Sequence, residues 1–305
     1  MDAKSRAIEA VVKKIPMMKY KLDQPLKNYT SFKIGGPVRV MFFPESTTCL
    51  TDICSTLDEF EITPLIIGNG SNMLASDEKL DLIVINTSKL SSIELTDTNE
   101  ITAEAGVLLS KLAVFSYENG LSGLEFAHGI PGTLGGAVVM NAGAYDGEMK
   151  TVVHSTTAFN TKRGVYILSA AEQEYSYRSS IFSNTDDIVL SSVIKLQKGE
   201  KESIKQKMDE YSARRSESQP LDMPSGGSTF KRPKEGYAAA LIEQAGLKGY
   251  TVGGAQVSEK HAGFVVNRGN ATFADTIAVI EHVRETIFEQ FGALLELEVK
   301  IINSD

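Results

Sequence analysis

The sequence has little of what marks a secreted, membrane-spanning or metal-binding protein. Its 305 residues include two cysteines, Cys49 and Cys54, whose spacing on a predicted helix suits neither a disulfide framework nor a zinc site. No apolar run approaches the roughly 18 residues of a membrane span, and the N-terminus has no apolar segment typical of a secretion signal. The four histidines are scattered without metal-ligand spacing. These absences predict a cytoplasmic protein without a metal site.

Charge and composition further restrict the class of protein. Acidic residues outnumber basic ones by 39 to 31, which gives a net charge of −8. This balance argues against nucleic acid as the main partner, so an anionic ligand would need a local basic patch. Hydrophobic residues at 42% and charged residues at 23% are ordinary for a globular protein, and the chain is long enough to bury a core.

The most informative stretch is the glycine-rich segment from Gly129 to Tyr145. It contains five glycines and almost no charge, so we expect neither a good helix interior nor a good strand interior there. Its apolar residues favour burial, which argues against a flexible linker. Successive backbone N–H groups without intervening Cβ atoms form an anion-binding nest. We interpret the segment as half of a cofactor cradle; the alternative is a tight buried turn.

A second glycine-containing loop, Gly68–Leu74, directly follows a predicted strand at Leu65–Ile67. It carries two of the three glycines of G-x-G-x-x-G. Only about ten residues separate it from the next predicted strand, which is too short for the crossover helix of a Rossmann unit. The loop is therefore either a non-Rossmann dinucleotide loop or an Asn/Gly turn.

Hydrophobic periodicity and turn residues predict a mixed succession of helices and strands. We expect Ser46 to cap a helix and Thr272 with Asp275 to form a capping box. Alternation predicts a final strand over Leu295–Ile301, with Glu296, Glu298 and Lys300 on one face. The other predicted elements are helices at 3–15, 108–116, 203–216 and 238–245, strands at 38–43, 82–85, 100–106 and 188–196, and a hairpin at 151–168.

Six motifs in one order give the chain a family resemblance. Together they resemble the UDP-N-acetylenolpyruvoylglucosamine reductase family, over residues 29–302. The segment between Arg178 and Gly227 lacks an extra tyrosine-bearing loop, so the chain resembles the shorter, second type of the family. The motifs are Gly68-Asn-Gly-Ser-Asn-Met-Leu74, Ile130-Pro-Gly-Thr-Leu-Gly-Gly-Ala137, Asn141-Ala-Gly-Ala-Tyr145, Tyr177-Arg-Ser-Ser-Ile-Phe182, Gly227-Ser-Thr-Phe-Lys-Arg-Pro233 and Leu295-Glu-Leu-Glu-Val-Lys-Ile-Ile302.

The resemblance implies an α+β fold with an FAD-binding module of the p-cresol-methylhydroxylase type, made of two α/β subdomains, and a C-terminal α+β substrate domain. The expected division is an N-terminal helical extension at 1–28, the FAD-binding domain at 29–203 with a split near residue 90, and the substrate domain at 204–305. FAD is expected to be non-covalent. His128, beside the glycine-rich segment, is either a packed loop residue or, as in some relatives of the fold, a covalent flavin anchor.

The implied reaction belongs to peptidoglycan precursor biosynthesis. NADPH reduces FAD, and the reduced flavin converts UDP-N-acetylglucosamine enolpyruvate to UDP-N-acetylmuramate. By resemblance, Arg178 holds the substrate carboxylate, Ser228 donates the proton, and Glu298 orients the proton or stabilises the enol form. The alternatives are a structural ion pair for Arg178, a turn residue for Ser228 and a solvated carboxylate for Glu298. Glu296 is the residue most easily confused with Glu298.

The same resemblance assigns binding residues. Lys231 and Arg232 are expected to meet the UDP diphosphate; the alternative is solvent-exposed basic side chains. We expect small-molecule substrates and no nucleic-acid, membrane or required protein partner. The expected FAD-binding residues are Gly68, Asn69, Gly70, Ser71, Asn72, Met73, Gly129, Ile130, Pro131, Gly132, Thr133, Gly135, Gly136, Asn141, Gly143, Ala144 and Tyr145.

Two other functions stay open from the residues themselves. The first is another flavin enzyme of the same fold that oxidises a small alcohol with oxygen. The second is a non-catalytic protein that binds a flavin or a nucleotide sugar. Sugar-dependent oxidation of NADPH by the yellow holoprotein distinguishes the reductase from both.

Overall fold

A computed structural model describes residues 2–303 of the chain. The chain divides into two compact units, each built from three segments. The first is Met1–Leu22, Val40–Asn69 and Leu82–Ala213, and the second is Asp23–Arg39, Gly70–Asp81 and Arg214–Asp305. The expected domain boundaries after residues 28 and 203 assign FAD binding and substrate binding to different parts of the chain. That assignment stays a prediction.

The described residues contain helices and strands with the following bounds. The helices are α1 (Ala3–Lys14), α2 (Thr47–Asp58), α3 (Leu109–Glu118), α4 (Leu134–Val139), α5 (Lys201–Ser218), α6 (Ala238–Gln244) and α7 (Phe273–Phe291). The strands are β1 (Lys19–Pro25), β2 (Pro37–Phe43), β3 (Leu65–Ile67), β4 (Met73–Ala75), β5 (Leu80–Asn86), β6 (Ile93–Asp97), β7 (Glu100–Glu104), β8 (Leu121–Ser122), β9 (Gly143–Ala144), β10 (Gly147–Glu148), β11 (Val153–Asn160), β12 (Gly164–Ser169), β13 (Ile188–Lys195), β14 (Gln197–Lys198), β15 (Thr251–Val252), β16 (Ala255–Val257), β17 (Val265–Asn267) and β18 (Lys300–Ile302).

The largest sheet of the first unit is antiparallel, with strand order β12-β11-β13-β7-β6. The predicted hairpin is confirmed as β11 and β12, which pair from Asn160↔Gly164 to Ser169↔Ser155. Strand β6 was not predicted; it is only five residues long, and all of them except Ile93 are exposed. The apolar residues of this sheet pack with α3 and α4 into one core.

A second core of the first unit lies between helices α1 and α2 and strand residues such as Val40, Phe42 and Ile85. The predicted cap of α2 is confirmed, since the Ser46 side chain accepts from the N–H of Cys49. Strands β3 and β5 pair in parallel. The connection between them contains β4 and no helix, which confirms that this is not a Rossmann unit.

The expectation of no helix in the glycine-rich segment was wrong. Residues Leu134–Val139 form α4, with Leu134, Ala137 and Val138 buried. A Cβ on Gly135 would lie 2.9 Å from the Cβ of Ala105, so glycine lets this helix approach the neighbouring chain closely. Tertiary packing thus outweighs the low helix propensity of glycine.

The second unit is built around α7, whose predicted capping box between Thr272 and Asp275 is present. Strands β15, β16 and β17 form an antiparallel sheet, and β18 pairs in parallel with β4. The predicted final strand was too long, since β18 covers only Lys300–Ile302. The preceding residues alternate in burial, but only Leu297 makes a bridge, to Phe230. Their hydrogen bonds go to a loop rather than to a long neighbouring strand.

Candidate active site

Arg178 lies at the tip of a tight turn in the first unit. Ser176 and Ser179 form an antiparallel bridge, and the N–H of Ser179 donates to the carbonyl of Ser176 at 3.3 Å. Arg178 has a φ of 54°, as the third residue of a type II turn requires. Its Nη2 donates to the carbonyl of Gly143 at 3.3 Å, and its guanidinium lies 5.1 Å from the ring centre of Tyr177.

The segment carrying Arg178 is fastened to the end of helix α4. The hydroxyls of Ser180 and Ser183 both donate to the carbonyl of Val139 at 2.8 Å. Two motifs that lie some 40 residues apart in the sequence therefore form one structural assembly in the first unit. This placement brings Arg178 to the glycine-rich segment.

A buried polar network leads into the same turn. Tyr175 donates its hydroxyl to Oε1 of Gln173 at 2.8 Å, and burial raises the pKa of Tyr175. The hydroxyl of Thr156 donates to the same oxygen at 2.8 Å and also contacts the hydroxyl of Ser192 at 2.9 Å. Because the phenol stays protonated, it serves as a hydrogen-bond donor that holds the start of the turn.

The side chain of Asn141, a predicted FAD-binding residue, is bonded within the protein, and its contact with FAD stays a prediction. Asn141 is fully buried, and its Nδ2 donates to Oε2 of Glu148 at 2.8 Å and to the carbonyl of Ser176 at 2.9 Å. Its Oδ1 accepts from the N–H of Lys150 at 2.9 Å. Both amide protons are thus committed to protein acceptors.

The end of the glycine-rich segment is a strained hairpin. Strands β9 and β10 are joined by Tyr145 and Asp146, with φ values of 49° and 64°, as in a type I′ turn. Positive φ is unusual for a bulky residue such as tyrosine. The Tyr145 ring stacks on Tyr211 of α5, with centroids 4.5 Å apart. This stacking holds the strained turn in place.

The other end of the segment is held by the same helix. Nδ1 of His128 lies 3.1 Å from the hydroxyl of Ser212, the residue next to Tyr211. His128 is only partly exposed, and its Nδ1 has a protein partner. This contact favours the packed loop residue over the covalent anchor.

The first unit brings the start of the Gly68 loop against the glycine-rich segment. Nδ2 of Asn69 donates to the carbonyl of Pro131 at 2.6 Å. A Cβ on Gly68 would lie 2.1 Å from Oγ1 of Thr133, so the two loops touch only because residue 68 is glycine. These two predicted cofactor loops therefore meet, as a shared cradle requires.

The loops offer backbone donors suited to an anionic ligand. Within the described part of the first unit, the N–H groups of Asn69, Gly132, Thr133 and Gly136 donate to no protein acceptor. Gly136 is exposed, and a Cβ on it would have only Thr133 within 4 Å. Unsatisfied N–H groups beside exposed glycine form a phosphate-binding cradle. The residues present therefore fit the pyrophosphate of FAD.

In the second unit, packing within the protein already requires glycine at position 70. It has a φ of +57°, and a Cβ there would lie 2.1 Å from the carbonyl oxygen of Tyr29. The Gly70 carbonyl accepts from the N–H of Ser31 at 3.2 Å, and the Ser31 hydroxyl donates to the carbonyl of Ser225 at 2.6 Å. Ser31 thus connects the Gly70 loop to the segment that carries Ser228.

Ser228 and Glu298 lie on paired segments of the second unit. The N–H of Glu298 donates to the carbonyl of Thr229 at 2.9 Å. Nδ2 of Asn72 donates to the carbonyl of Glu298 at 2.9 Å, and the carbonyl of Asn72 accepts from Lys300 at 3.0 Å. Ser228 is half-buried, and its hydroxyl has no hydrogen-bond partner among the described residues. Asn72, the residue before Met73, is therefore bonded twice to the segment that carries Glu298.

Glu296 differs from Glu298 in its surroundings. The Glu296 side chain is 75% exposed and pairs with Lys231 at 3.2 Å. Glu298, in contrast, is half-buried. Arg232 lies over the ring of Tyr237 at 4.3 Å. Glu296 is thus a surface ion-pair partner, and both predicted diphosphate-binding residues have contacts within the protein.

The structure divides the three predicted catalytic residues between its units. Arg178 belongs to the first, and Ser228 and Glu298 belong to the second. Several supporting residues were not assigned from the sequence: Ser31, Glu148, Ser180, Ser183 and Tyr211. Ser180 lies inside a quoted motif and Ser183 directly follows it, but only the fold shows which carbonyl their hydroxyls reach.

Comparison with known proteins identifies the family of the chain. The family model described as FAD binding domain matches residues 38–167, and the one described as UDP-N-acetylenolpyruvoylglucosamine reductase, C-terminal domain, matches residues 219–302. A solved reductase of that name, MurB from Thermus caldophilus, is 32% identical with a TM-score of 0.79 and covers 93% of this chain and 98% of that chain.

Curated relatives extend the likeness over the whole chain. UDP-N-acetylenolpyruvoylglucosamine reductase of Caldanaerobacter subterraneus is 48% identical over 281 residues, 92% of this chain and 93% of the relative. The protein of that name from Alkaliphilus oremlandii is 43% identical over 99% of both chains.

The fold and the cofactor loops define a flavin-dependent oxidoreductase of the p-cresol-methylhydroxylase type. The chain belongs to the UDP-N-acetylenolpyruvoylglucosamine reductase family. Its cofactor is FAD, and NADPH is its hydride donor, as the resemblance implied.

Two kinds of feature are absent from the described residues. None of the helices is both long and apolar enough to cross a membrane. No three or more His, Cys, Asp or Glu side chains in that part of the chain are grouped to hold a metal ion.

Proposed function

We propose that the chain reduces the enolpyruvyl ether of UDP-N-acetylglucosamine with Arg178, Ser228 and Glu298 acting on one substrate. Arg178 holds the carboxylate with its planar guanidinium, which stays charged at any physiological pH. Ser228 donates a proton to the substrate carbon next to the carboxylate. Glu298 orients that proton transfer or stabilises the enol form of the substrate.

FAD, when bound, supplies the hydride chemistry that protein side chains lack. The residues expected to hold it are the backbone donors of the Gly68 loop and of the glycine-rich segment. Lys231 and Arg232 are proposed to meet the UDP diphosphate, Lys231 by exchanging its exposed partner Glu296 for phosphate. We place the reaction in the cytoplasm and expect no required protein partner. The two free cysteines support that location.

The observation that carries the proposal is the state of Ser228. Its hydroxyl is half-buried and has no partner among the described residues, while its neighbour Thr229 is bonded to Glu298. A polar group held this way is available to a ligand, since a structural serine would bond to the protein. A proton donor needs such fixed placement beside a group that polarises it.

Rapid-mixing kinetics of the two half-reactions test these roles. We expect Ser228→Ala to leave flavin reduction by NADPH unchanged and to slow reoxidation by the enolpyruvyl sugar by on the order of 10²-fold. Glu298→Gln should slow the same half-reaction, whereas Glu296→Gln serves as the matched control and should not. Equal losses in both halves would assign Ser228 to folding. Absence of any sugar-dependent NADPH oxidation in the wild type would refute the reductase.

A further inference from the structure

The surroundings of Asn141 point to a role that its predicted cofactor contact does not explain. Its amide is fully buried between two acceptors, Glu148 and the Ser176 carbonyl, and one donor, the N–H of Lys150. These partners fix which amide atom is nitrogen, because only nitrogen can donate to both acceptors. Nζ of Lys150 lies 2.7 Å from the other Glu148 oxygen and completes the network.

Ser176, whose carbonyl accepts from Asn141, is the first residue of the turn that carries Arg178. Arg178 has a φ of 54° in this turn, a backbone conformation that residues other than glycine seldom adopt without support. The turn is supported at Ser176 by Asn141, at Arg178 itself by the Gly143 carbonyl, and beyond it by the two serines that reach Val139.

These supports are not equivalent. The Val139 carbonyl receives two hydroxyls, so the loss of one leaves the other. The Ser176 carbonyl, in contrast, receives one side-chain bond, from the fully buried Asn141 at 2.9 Å, and its other bond comes from Ser179 within the turn at 3.3 Å. Removing the Asn141 amide takes away the bond that fastens the Ser176 carbonyl to another segment, and it also removes the donor to Oε2 of Glu148. Both losses favour a rearrangement of the turn.

We infer that Asn141 is a positioning residue for the substrate carboxylate, because it fixes the turn that carries Arg178. The inference rests on the proposed role of Arg178. It assigns the Asn141 side chain to the substrate half of the reaction and removes it from the set of residues that contact FAD.

Two nucleotide sugars separate this role from a general structural one. UDP-N-acetylmuramate carries the carboxylate that Arg178 is proposed to hold, and UDP-N-acetylglucosamine lacks it. We expect Asn141→Ala to weaken binding of UDP-N-acetylmuramate to the holoprotein by about 10- to 100-fold, the range expected when a hydrogen bond to a charged group is lost. Binding of UDP-N-acetylglucosamine should change by less than about threefold. Isothermal titration measures both.

Asn99→Ala is the matched control in the same unit. Its Nδ2 also donates to a backbone carbonyl, that of Leu196, at 3.0 Å, but it belongs to another loop. We expect Asn99→Ala to leave the affinities for both nucleotide sugars unchanged. Arg178→Ala is the reference for the proposed function and should lose selective binding of the carboxylate ligand. If it does not, the role of Arg178 fails, whatever Asn141 does.

Asn141→Asp covers the case in which the alanine variant does not fold. It keeps the size of the side chain but replaces the donor to Ser176 with an acceptor. We expect it to retain FAD, to be reduced normally by NADPH and to lose affinity selectively for UDP-N-acetylmuramate. Wild-type affinity in Asn141→Asp, an equal loss for both nucleotide sugars, or loss of FAD would each overturn the inference, given a selective loss in Arg178→Ala.

Discussion

Substitution of Gly70 by alanine tests why the first cofactor loop needs glycine. An alanine Cβ would lie 2.1 Å from the Tyr29 carbonyl oxygen, and real Cβ atoms essentially never come within 3.0 Å of another atom. The two atoms must therefore separate by 0.9 Å. The positive φ of +57° adds a second penalty that any residue with a Cβ meets.

Both contributions have known sizes. The left-handed conformation costs about 1–2 kcal/mol, and an overpacked contact typically adds about 1–3 kcal/mol. We expect Gly70→Ala to lower the free energy of unfolding by about 2–5 kcal/mol in total. Movement at Tyr29 also displaces Ser31, which bonds to the Gly70 carbonyl. We therefore expect weaker FAD binding as well.

Gly164→Ala is the matched control. Gly164 has a φ of +72°, and a Cβ there would meet nothing within 4 Å. Only the conformational cost of about 1–2 kcal/mol applies to it. Urea unfolding gives the two stabilities, and fluorescence of released flavin gives the affinity for FAD. Equal loss of stability in the two variants, with FAD binding intact in both, would refute the clash at Tyr29.

Three further outcomes follow from local contacts. Gly68→Ala should destabilise the fold because the new Cβ would clash with Oγ1 of Thr133, and Thr133→Ala should relieve part of that loss. A double-mutant cycle by urea unfolding should therefore give a coupling energy above about 0.5 kcal/mol, and strict additivity would contradict the contact. Burial raises the pKa of the Cys54 thiol to about 12, so a thiol reagent at pH 8 should modify Cys49 in the native protein and Cys54 only after unfolding; native modification of Cys54 would contradict its burial. Backbone hydrogen bonds from Thr272 and Gly254 lower the pKa of Asp275 below its ordinary 3.8, so its stabilisation is present above that pH and lost as the pH falls through the lowered pKa. Asp275→Asn should flatten the acid limb of the stability curve, and an unchanged limb would count against this.

Sequence patterns predicted best where a structure is local. The Ser46 cap, the capping box of α7 and the hairpin of β11 and β12 depend on neighbouring residues and were all confirmed. Helix α4 was missed because its glycines are tolerated through a contact with Ala105, which is distant in the sequence. Strand β4 was missed because it is short and pairs with β18, more than 200 residues away.

The candidate site shows the same division. Residue types and motif order were enough to propose two FAD loops and to prefer Glu298 to Glu296, because both depend on which side chains are present and in what order. The contacts that hold those residues in place could not be predicted from the sequence. Asn141 and Gly70 were predicted to bind FAD, and only the structure shows that the Asn141 amide bonds to Glu148 and Ser176 and that a Cβ at Gly70 would clash with Tyr29.

The sequence by itself determined the class of protein, the family and the residues with the required chemistry. These depend on which side chains are present and in what order. The tertiary structure decided which polar groups are already bonded to the protein and which are available to a ligand. The answer depends on partners far away in the chain. Burial excludes water and so makes an unpaired polar group costly, and it exists only once the chain has folded.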